Sequence, residues 1–191
     1  MKKSLTLIPV VFFCIVFSAC NSSDKKDKVV TPEVKKLIEE PKKDTKPTEP
    51  YTITTPQGWE KKDTVSSGTR LFTLRSPLET SSDDFRENIT IVSEEARGYD
   101  VKSYTAANRS TMETQLPGVN FLSDEETTIG DMPAQALVYT FKYANYNLKN
   151  TAYFIVKNDM GYVLTCTAVN AKFDKFQPQF KAAVNSFVIN N

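Results

Sequence analysis

Along the chain, apolar and polar positions fall into two periods, one of two residues and one near 3.6, and the changes between them mark out the elements. A coarse reading of strand-forming runs between turn residues predicts strands at Tyr51–Thr55, Arg70–Arg75, Asn88–Glu94, Asn120–Ile129, Ala134–Tyr143, Leu148–Val156 and Tyr162–Val169. Turn-forming residues punctuate them at Pro56-Gln57-Gly58, Ser66-Ser67-Gly68, Gly130-Asp131-Met132-Pro133, Asn145-Tyr146-Asn147 and Asn158-Asp159-Met160-Gly161. Short turns join the last three strands, which predicts an antiparallel meander. In Ala134–Tyr143 both parities are apolar: Leu137, Tyr139, Phe141 and Tyr143 on one, Ala134, Ala136 and Val138 on the other. A sheet that is apolar on both faces needs cover on both.

Helical spacing supplies that cover twice. Asp100 is a side-chain cap for a helix over Val101–Leu116, with Val101, Tyr104, Met112 and Leu116 on one side and Pro117-Gly118 as the stop. Phe173, Phe176, Phe180, Val184 and Phe187 fall within an arc of about 80° when each residue turns the helix by roughly 100°. Pro178 interrupts this stripe. The expected result is a short turn from Phe173 and then a main helix with Pro178 in its first turn, weakly capped by Gln177. A phenylalanine stripe of this kind predicts core and no cofactor contact.

The first 20 residues follow neither period. Lys2 and Lys3 precede an apolar run, Leu5 to Phe17, broken by Thr6 and Pro9, and the small residues Ser18 and Ala19 lead to Cys20. A membrane span needs about 20 mostly apolar residues, and this run is shorter, so it predicts a removable export signal over residues 1–19. Phe17-Ser18-Ala19-Cys20 resembles a bacterial lipobox, with Phe17 where Leu is commonest. Cys20 is therefore the expected lipid attachment site, and two or more acyl chains at about 0.8 kcal/mol per buried methylene make a lasting membrane anchor. From Asn21 to Pro50 the chain turns to Lys, Asp, Glu, Thr, Ser and Pro without an aromatic. Such a segment buries too little apolar surface to offset its chain entropy, so residues 20–50 are expected to be the lipidated cysteine and a disordered tether. Within it, Thr31 to Glu40 carries a short helical pattern that would be marginal alone. Whether the anchor rests in an inner or an outer membrane is left open.

Residues 51–191 suit one domain with one core. The whole chain has 24 basic and 23 acidic residues, and without Lys2 and Lys3 the balance is close to neutral. No basic face interleaved with aromatics appears, which excludes nucleic acid as the expected partner. The chain has no histidine, so Ser-His-Asp and Cys-His catalysis and imidazole metal ligation are excluded. No phosphate-cradling glycine loop and no G-x-S-x-G elbow is present, and no cofactor is predicted. Asp83-Asp84 and Asp124-Glu125-Glu126 lack the oxygen spacing of a calcium loop. Of three cysteines, Cys14 leaves with the signal and Cys20 takes lipid, so Cys166 remains, in a strand-like run that predicts a buried, inert thiol.

Four pieces of the domain, in order, resemble the PsbP-like family. They are the opening Tyr51-Thr52-Ile53-Thr54-Thr55-Pro56-Gln57-Gly58-Trp59, the strand start Gly130-Asp131-Met132-Pro133-Ala134, the strand Gly161-Tyr162-Val163-Leu164-Thr165, and the closing Phe173, Phe176, Phe180 and Asn185-Ser186-Phe187. The resemblance covers Tyr51 to about Ile189. It implies an α+β fold, an α/β/α sandwich around a central, mainly antiparallel sheet of about six or seven strands. It also implies partner binding by a rigid surface, since the family spans an extrinsic photosystem subunit, a nuclear Ran-release factor and bacterial lipoproteins without a common reaction. Fold alone does not fix function.

Two classes of function follow. One is a lipid-anchored cell-envelope module that binds a protein or an amphiphilic ligand without catalysis, through an aromatic-rich edge or the loops around Trp59, Tyr143, Tyr146 and Tyr153; it predicts an exposed apolar patch of more than a few hundred Å². The other is a histidine-independent hydrolase or transferase using carboxylates such as Asp83, Asp84 or Glu94, which predicts a concave pocket with paired carboxylates of shifted pKa.

Overall fold

The structure is a computed structural model that describes residues 50–66 and 69–190. The expected signal, Cys20, most of the tether and part of the Ser66-Ser67-Gly68 turn lie outside the described residues. In chain order the elements are β1 (Tyr51–Thr52), β2 (Glu60–Ser66), β3 (Thr69–Arg75), β4 (Asn88–Glu95), α1 (Val101–Gln115), β5 (Asn120–Ile129), β6 (Met132–Tyr143), β7 (Tyr146–Lys157), β8 (Met160–Val169), a 3₁₀ turn (Asn170–Lys172), α2 (Phe173–Asn185) and β9 (Val188–Ile189).

Seven strands form one antiparallel sheet in the order β2-β3-β4-β8-β7-β6-β5. Two meanders, β2-β3-β4 and β5-β6-β7-β8, meet where β4 pairs with β8, for example Ile89 with Cys166 and Glu94 with Gly161. The helix α1 links them by crossing one face, while α2 packs on the other. Strand alternation sorts the side chains between two cores. Phe72, Leu74, Ile89, Ile91, Leu164 and Cys166 join the α2 phenylalanines, Trp59 and Tyr51. Leu137, Tyr139, Phe141, Leu148, Ala152 and Phe154 join Tyr104, Met112 and Leu116 of the α1 side. The fold is the expected α/β/α sandwich with a wholly antiparallel seven-stranded sheet.

The differences from expectation have local causes. The strand expected over Tyr51–Thr55 is only β1, which leaves the main sheet to pair with β9, Tyr51 facing Ile189 and Thr52 facing Val188. The edge strand β2 has no sequence signature, because its EKKDTVS run carries a single apolar residue; pairing with β3 makes it a strand. Pro133 lies inside β6 rather than in a turn. It faces Thr128 of β5, and β6 begins to pair with β7 only at Gln135, so its missing N–H is withheld from no ladder bond on that side. The helix α2 runs unbroken through Pro178, with no side-chain cap at Lys172. A proline there removes a backbone bond and costs roughly 3 kcal/mol, yet Phe173, Phe176 and Phe180 on both sides of it are at most 6 % exposed. Each buried side chain of that size contributes about 1.5–3 kcal/mol, so the aromatic anchors outweigh the lost bond.

The helix α1 is built on the opposite plan. Asp100 accepts from the Ser103 N–H at 2.7 Å and the Ser103 hydroxyl closes a capping box. Its buried side chains include Thr105, Asn108 and Thr111, and each donates back to its own helix, to the carbonyls of Val101, Tyr104 and Ala107. Polar residues can face the core here because their hydrogen bonds are made before they reach it.

Candidate functional site

At one end of the sheet, where β4 ends and β7 turns into β8, lies a cleft of about 430 Å³ lined by Arg70, Ser93, Glu94, Glu95, Arg97, Asn158, Asp159 and Met160. The turn is Asn158-Asp159, and both residues hold positive φ, 54° and 60°. Asn and Asp tolerate that conformation, and such a two-residue turn follows the twist of the flanking strands. The Asp159 carbonyl accepts from the Ala96 N–H at 2.8 Å, which ties the turn to the end of β4.

Glu94 occupies the α1 side of this cleft. The Tyr104 hydroxyl, reaching from α1, donates to its Oε1 at 2.7 Å. Partial burial holds the Glu94 carboxyl above the usual carboxylate range, against the pull of that hydrogen bond. Burial, followed by the neighbouring Glu94 charge, pushes the Tyr104 phenol well above its ordinary value. Gly161 makes the approach possible, since a Cβ there would stand 2.4 Å from Tyr104 Cζ and 2.6 Å from its hydroxyl oxygen. Glu95 is the next residue on the strand and leaves on the opposite face; Arg97 Nε pairs with it at 3.0 Å. Arg70 Nε binds Asp63 at 3.0 Å, with a second contact to the same carboxylate.

The aromatics expected at a docking surface are mostly structural. Trp59 is 8 % exposed and stands edge-on to Phe176 and Phe180. Tyr146 is half-buried, packs on Phe85 at 5.0 Å and bonds Asp84. Tyr143 is half-buried beside the α1 core, and Tyr153 is half-buried on the α2 core with its phenol pushed up to about 12, first by burial. Among the described residues the large exposed apolar side chains are Leu78 on the β3–β4 connection, Leu122 on β5 and Val188 on β9. They do not compose the apolar patch that the docking reading called for.

The acids divide likewise. Burial alone would raise Asp83, but the backbone N–H of Glu79, the Lys172 ammonium and the Phe85 N–H bring its carboxyl below the usual range. Lys172 lies 3.2 Å from Asp83 and 3.1 Å from Glu79, so these acids hold the β3–β4 connection onto the start of α2. On β5, Asp124 pairs with Arg109 and Glu126 with Lys102, at 3.2 and 2.9 Å, while Glu125 is exposed. Among the described residues no three Asp, Glu or Cys side chains cluster to hold a metal. Cys166 is 1 % exposed and burial pushes its thiol up, as a buried, inert cysteine requires.

Of the acids expected from the sequence, only Glu94 reaches the cleft. Sequence reasoning missed Arg70, Arg97, Asp159 and the Tyr104 hydroxyl. One available signal was Gly161, a glycine at a strand start, where close approach by another group is a standard reason.

No protein-family model matches the chain, and no curated protein matches it. Solved structures do. A Pseudomonas aeruginosa protein of unknown function is 18% identical with TM-score 0.57, covering 74% of this chain and 98% of that one. Cyanobacterial PsbP from Synechocystis is 13% identical with TM-score 0.54, over 74% and 87%. LpqN, described as involved in cell envelope biogenesis of Mycobacterium tuberculosis, is 12% identical with TM-score 0.56, over 74% and 83%. At these identities the likeness is one of fold, and the fold is PsbP-like.

Proposed function

We propose that this chain is a bacterial cell-envelope lipoprotein whose PsbP-like domain, residues 51–191, is a non-catalytic binding or accessory module. On this reading the signal over residues 1–19 is removed, lipid on Cys20 holds the chain to a membrane, and residues 20–50 tether the domain outside the cytoplasm. The similarity of fold to LpqN, an envelope-biogenesis protein, supports the compartment. Among the described residues no helix is long and apolar enough to cross a membrane, so lipid rather than a span in the domain would carry the attachment.

One observation carries binding over catalysis. Glu94, the one sequence-nominated acid in the cleft, has Tyr104 as its partner, while its neighbour Glu95 leaves on the other face and is tied to Arg97. General acid–base work needs an acid and a base converging on one reacting atom, and the strand separates these two. The raised Glu94 carboxyl inside a cleft is what favours the second reading, a histidine-independent carboxylate hydrolase or transferase with Glu94 as proton donor.

Cells grown with a labelled fatty acid should label the wild type and not Cys20→Ala; label in the variant would refute the anchor. A photo-crosslinking residue at Arg97, beside the cleft, should capture a discrete envelope partner that one at Lys181 on α2 does not. Equal capture from both positions would remove the cleft from the binding surface.

A further inference from the structure

We propose that the β3–β4 connection, residues 76–87, is a strap that mild acid holds shut over the base of the sheet and neutral pH loosens, with Glu87 as the group that takes up the proton. Its two ends are direct partners. Ser76 and Glu87 continue the β3–β4 pairing one step past Arg75 and Asn88, and the Ser76 N–H donates to the Glu87 carbonyl at 2.8 Å. Both side chains follow Leu74 and Ile89 onto the α2 face. Between them, no side chain of residues 77–86 is buried. Polar ties hold the strap instead: Lys172 reaches Glu79 and Asp83 at 3.1 and 3.2 Å, Lys175 also bonds Glu79, and Tyr146 bonds Asp84 while packing on Phe85. A segment with so few buried apolar contacts opens more readily than the core it leaves. Lifting it would free the Tyr146 ring from Phe85.

Glu87 couples that opening to pH. Its side chain is 0 % exposed. The Ser76 hydroxyl donates to Oε2 at 3.2 Å, while Oε1 is enclosed with no hydrogen-bond partner among the described residues. The charges facing it are the Lys172 ammonium, from the turn before α2, and the Asp83 carboxylate, from the strap itself. Lys172 is already shared between Glu79 and Asp83, Arg86 is held by Glu60 and Lys149 of β7 by Asp174. A neutral carboxyl fits this enclosure. A carboxylate with one oxygen unserved does not, and it is hydrated only when the strap lifts. Burial accordingly raises the Glu87 carboxyl.

In the open strap Glu87 titrates near its ordinary value, about 4.3, and in the closed strap it keeps its proton to higher pH. Its contribution to closure is therefore complete below about 4.3 and is lost as pH rises through the closed-state value. The clamp does not fail in the same interval. Hydrogen bonds from Lys175 and then Lys172 lower the Glu79 carboxyl; burial raises Asp83, but the Glu79 N–H and Lys172 outweigh it. Those ties last until pH falls below the usual carboxylate range. The two kinds of acid thus bracket a mildly acidic window of tightest closure.

The test is native-state amide exchange of the purified full chain between pH 4.5 and pH 7.5, corrected at each pH for intrinsic exchange. The Ser76 and Asp83 amides, which are bonded within the strap, should exchange through openings more frequent than those of Leu164 in the central sheet. That frequency should rise at least about threefold from the lower to the higher pH. In Glu87→Gln the rise should disappear, with openings no more frequent at either pH than in the wild type at pH 4.5. Lys172→Met should open the strap more often at both pH values and keep the rise. Strap amides that open no more often than Leu164, a wild-type frequency unchanged with pH, or a rise that survives Glu87→Gln would overturn the proposal. The first two outcomes are read from the wild type alone, whatever the variants do to folding.

Discussion

The two helices that cover the sheet reach the same end by opposite means. The helix α2 has weak local credentials, with an internal proline and no side-chain cap, and rests on Phe173, Phe176, Phe180 and Val184 in the larger core. The helix α1 has a complete capping box and polar buried side chains that bond back to their own turns, with Tyr104 and Met112 as its main apolar contacts. Tertiary burial enforces one helix, and local hydrogen bonding prepares the other. The Tyr104–Glu94 bond lies on the locally prepared side, where a tyrosine can end at a carboxylate without drawing on the phenylalanine stack of α2.

This contrast can be broken at five positions. Phe180→Ala should destabilise most, by about 3–5 kcal/mol, with Met112→Ala nearer the lower end of the roughly 2–5 kcal/mol typical of its kind; urea midpoints of the two variants give the comparison, and equal losses would erase it. Next, Gly161→Ala should cost about 1–3 kcal/mol by overpacking against Tyr104. The Tyr104 ring resonances should move in that variant while those of Phe176 stay, and unmoved Tyr104 signals would mean the contact is relieved elsewhere. Asp100→Ala should lower the urea midpoint by less than Gly161→Ala and raise amide exchange over the first turn of α1, an effect with no counterpart at the uncapped start of α2.

The smallest effect concerns Glu87, which is 0 % exposed on the β3–β4 connection and accepts from Ser76 Oγ at 3.2 Å. Burial raises its carboxyl, opposed by its own backbone N–H, the Lys172 ammonium and Ser76, and reinforced by Asp83. A carboxyl raised in the native state favours folding below its unfolded value, about 4.3, and that contribution disappears as pH rises through the native value. Glu87→Gln should therefore gain stability relative to the wild type between pH 4 and pH 7. A constant difference between the two proteins across that interval would contradict the assignment.

The legible parts of the fold were those where one residue type does one job. The alternation of Ile89 and Ile91 with Asn88 and Thr90 and the Asp100 cap were readable because the facing of side chains and capping are set within a few residues. The strand β2 was not, since a polar edge strand owes its state to the β3 ladder beside it. Pro178 misled for the converse reason: its local preference was correct and was overruled by rings packed from Trp59 and the sheet. In the cleft, Glu94 could be named as a carboxylate of interest, but Arg70, Arg97 and Asp159 come from three separate segments that only the sheet register joins. Glu87 gave no sign at all, because nothing in Phe85-Arg86-Glu87-Asn88 says which of two charged neighbours will be enclosed.

The short β1–β9 ladder has a mechanical meaning. The Asn190 N–H donates to the Pro50 carbonyl at 2.9 Å, so the segment entering the domain lies directly against the segment leaving it. A pull on the chain at Pro50 would load these pairs one after another, as in opening a zipper, and would then draw the Tyr51 ring from between Phe72, Tyr162 and Phe187. The seven-stranded sheet contributes no strand to that ladder. The first yielding step under load would thus be confined to two residues and one ring, a fuse that releases the entering segment while the seven-stranded sheet keeps its pairing.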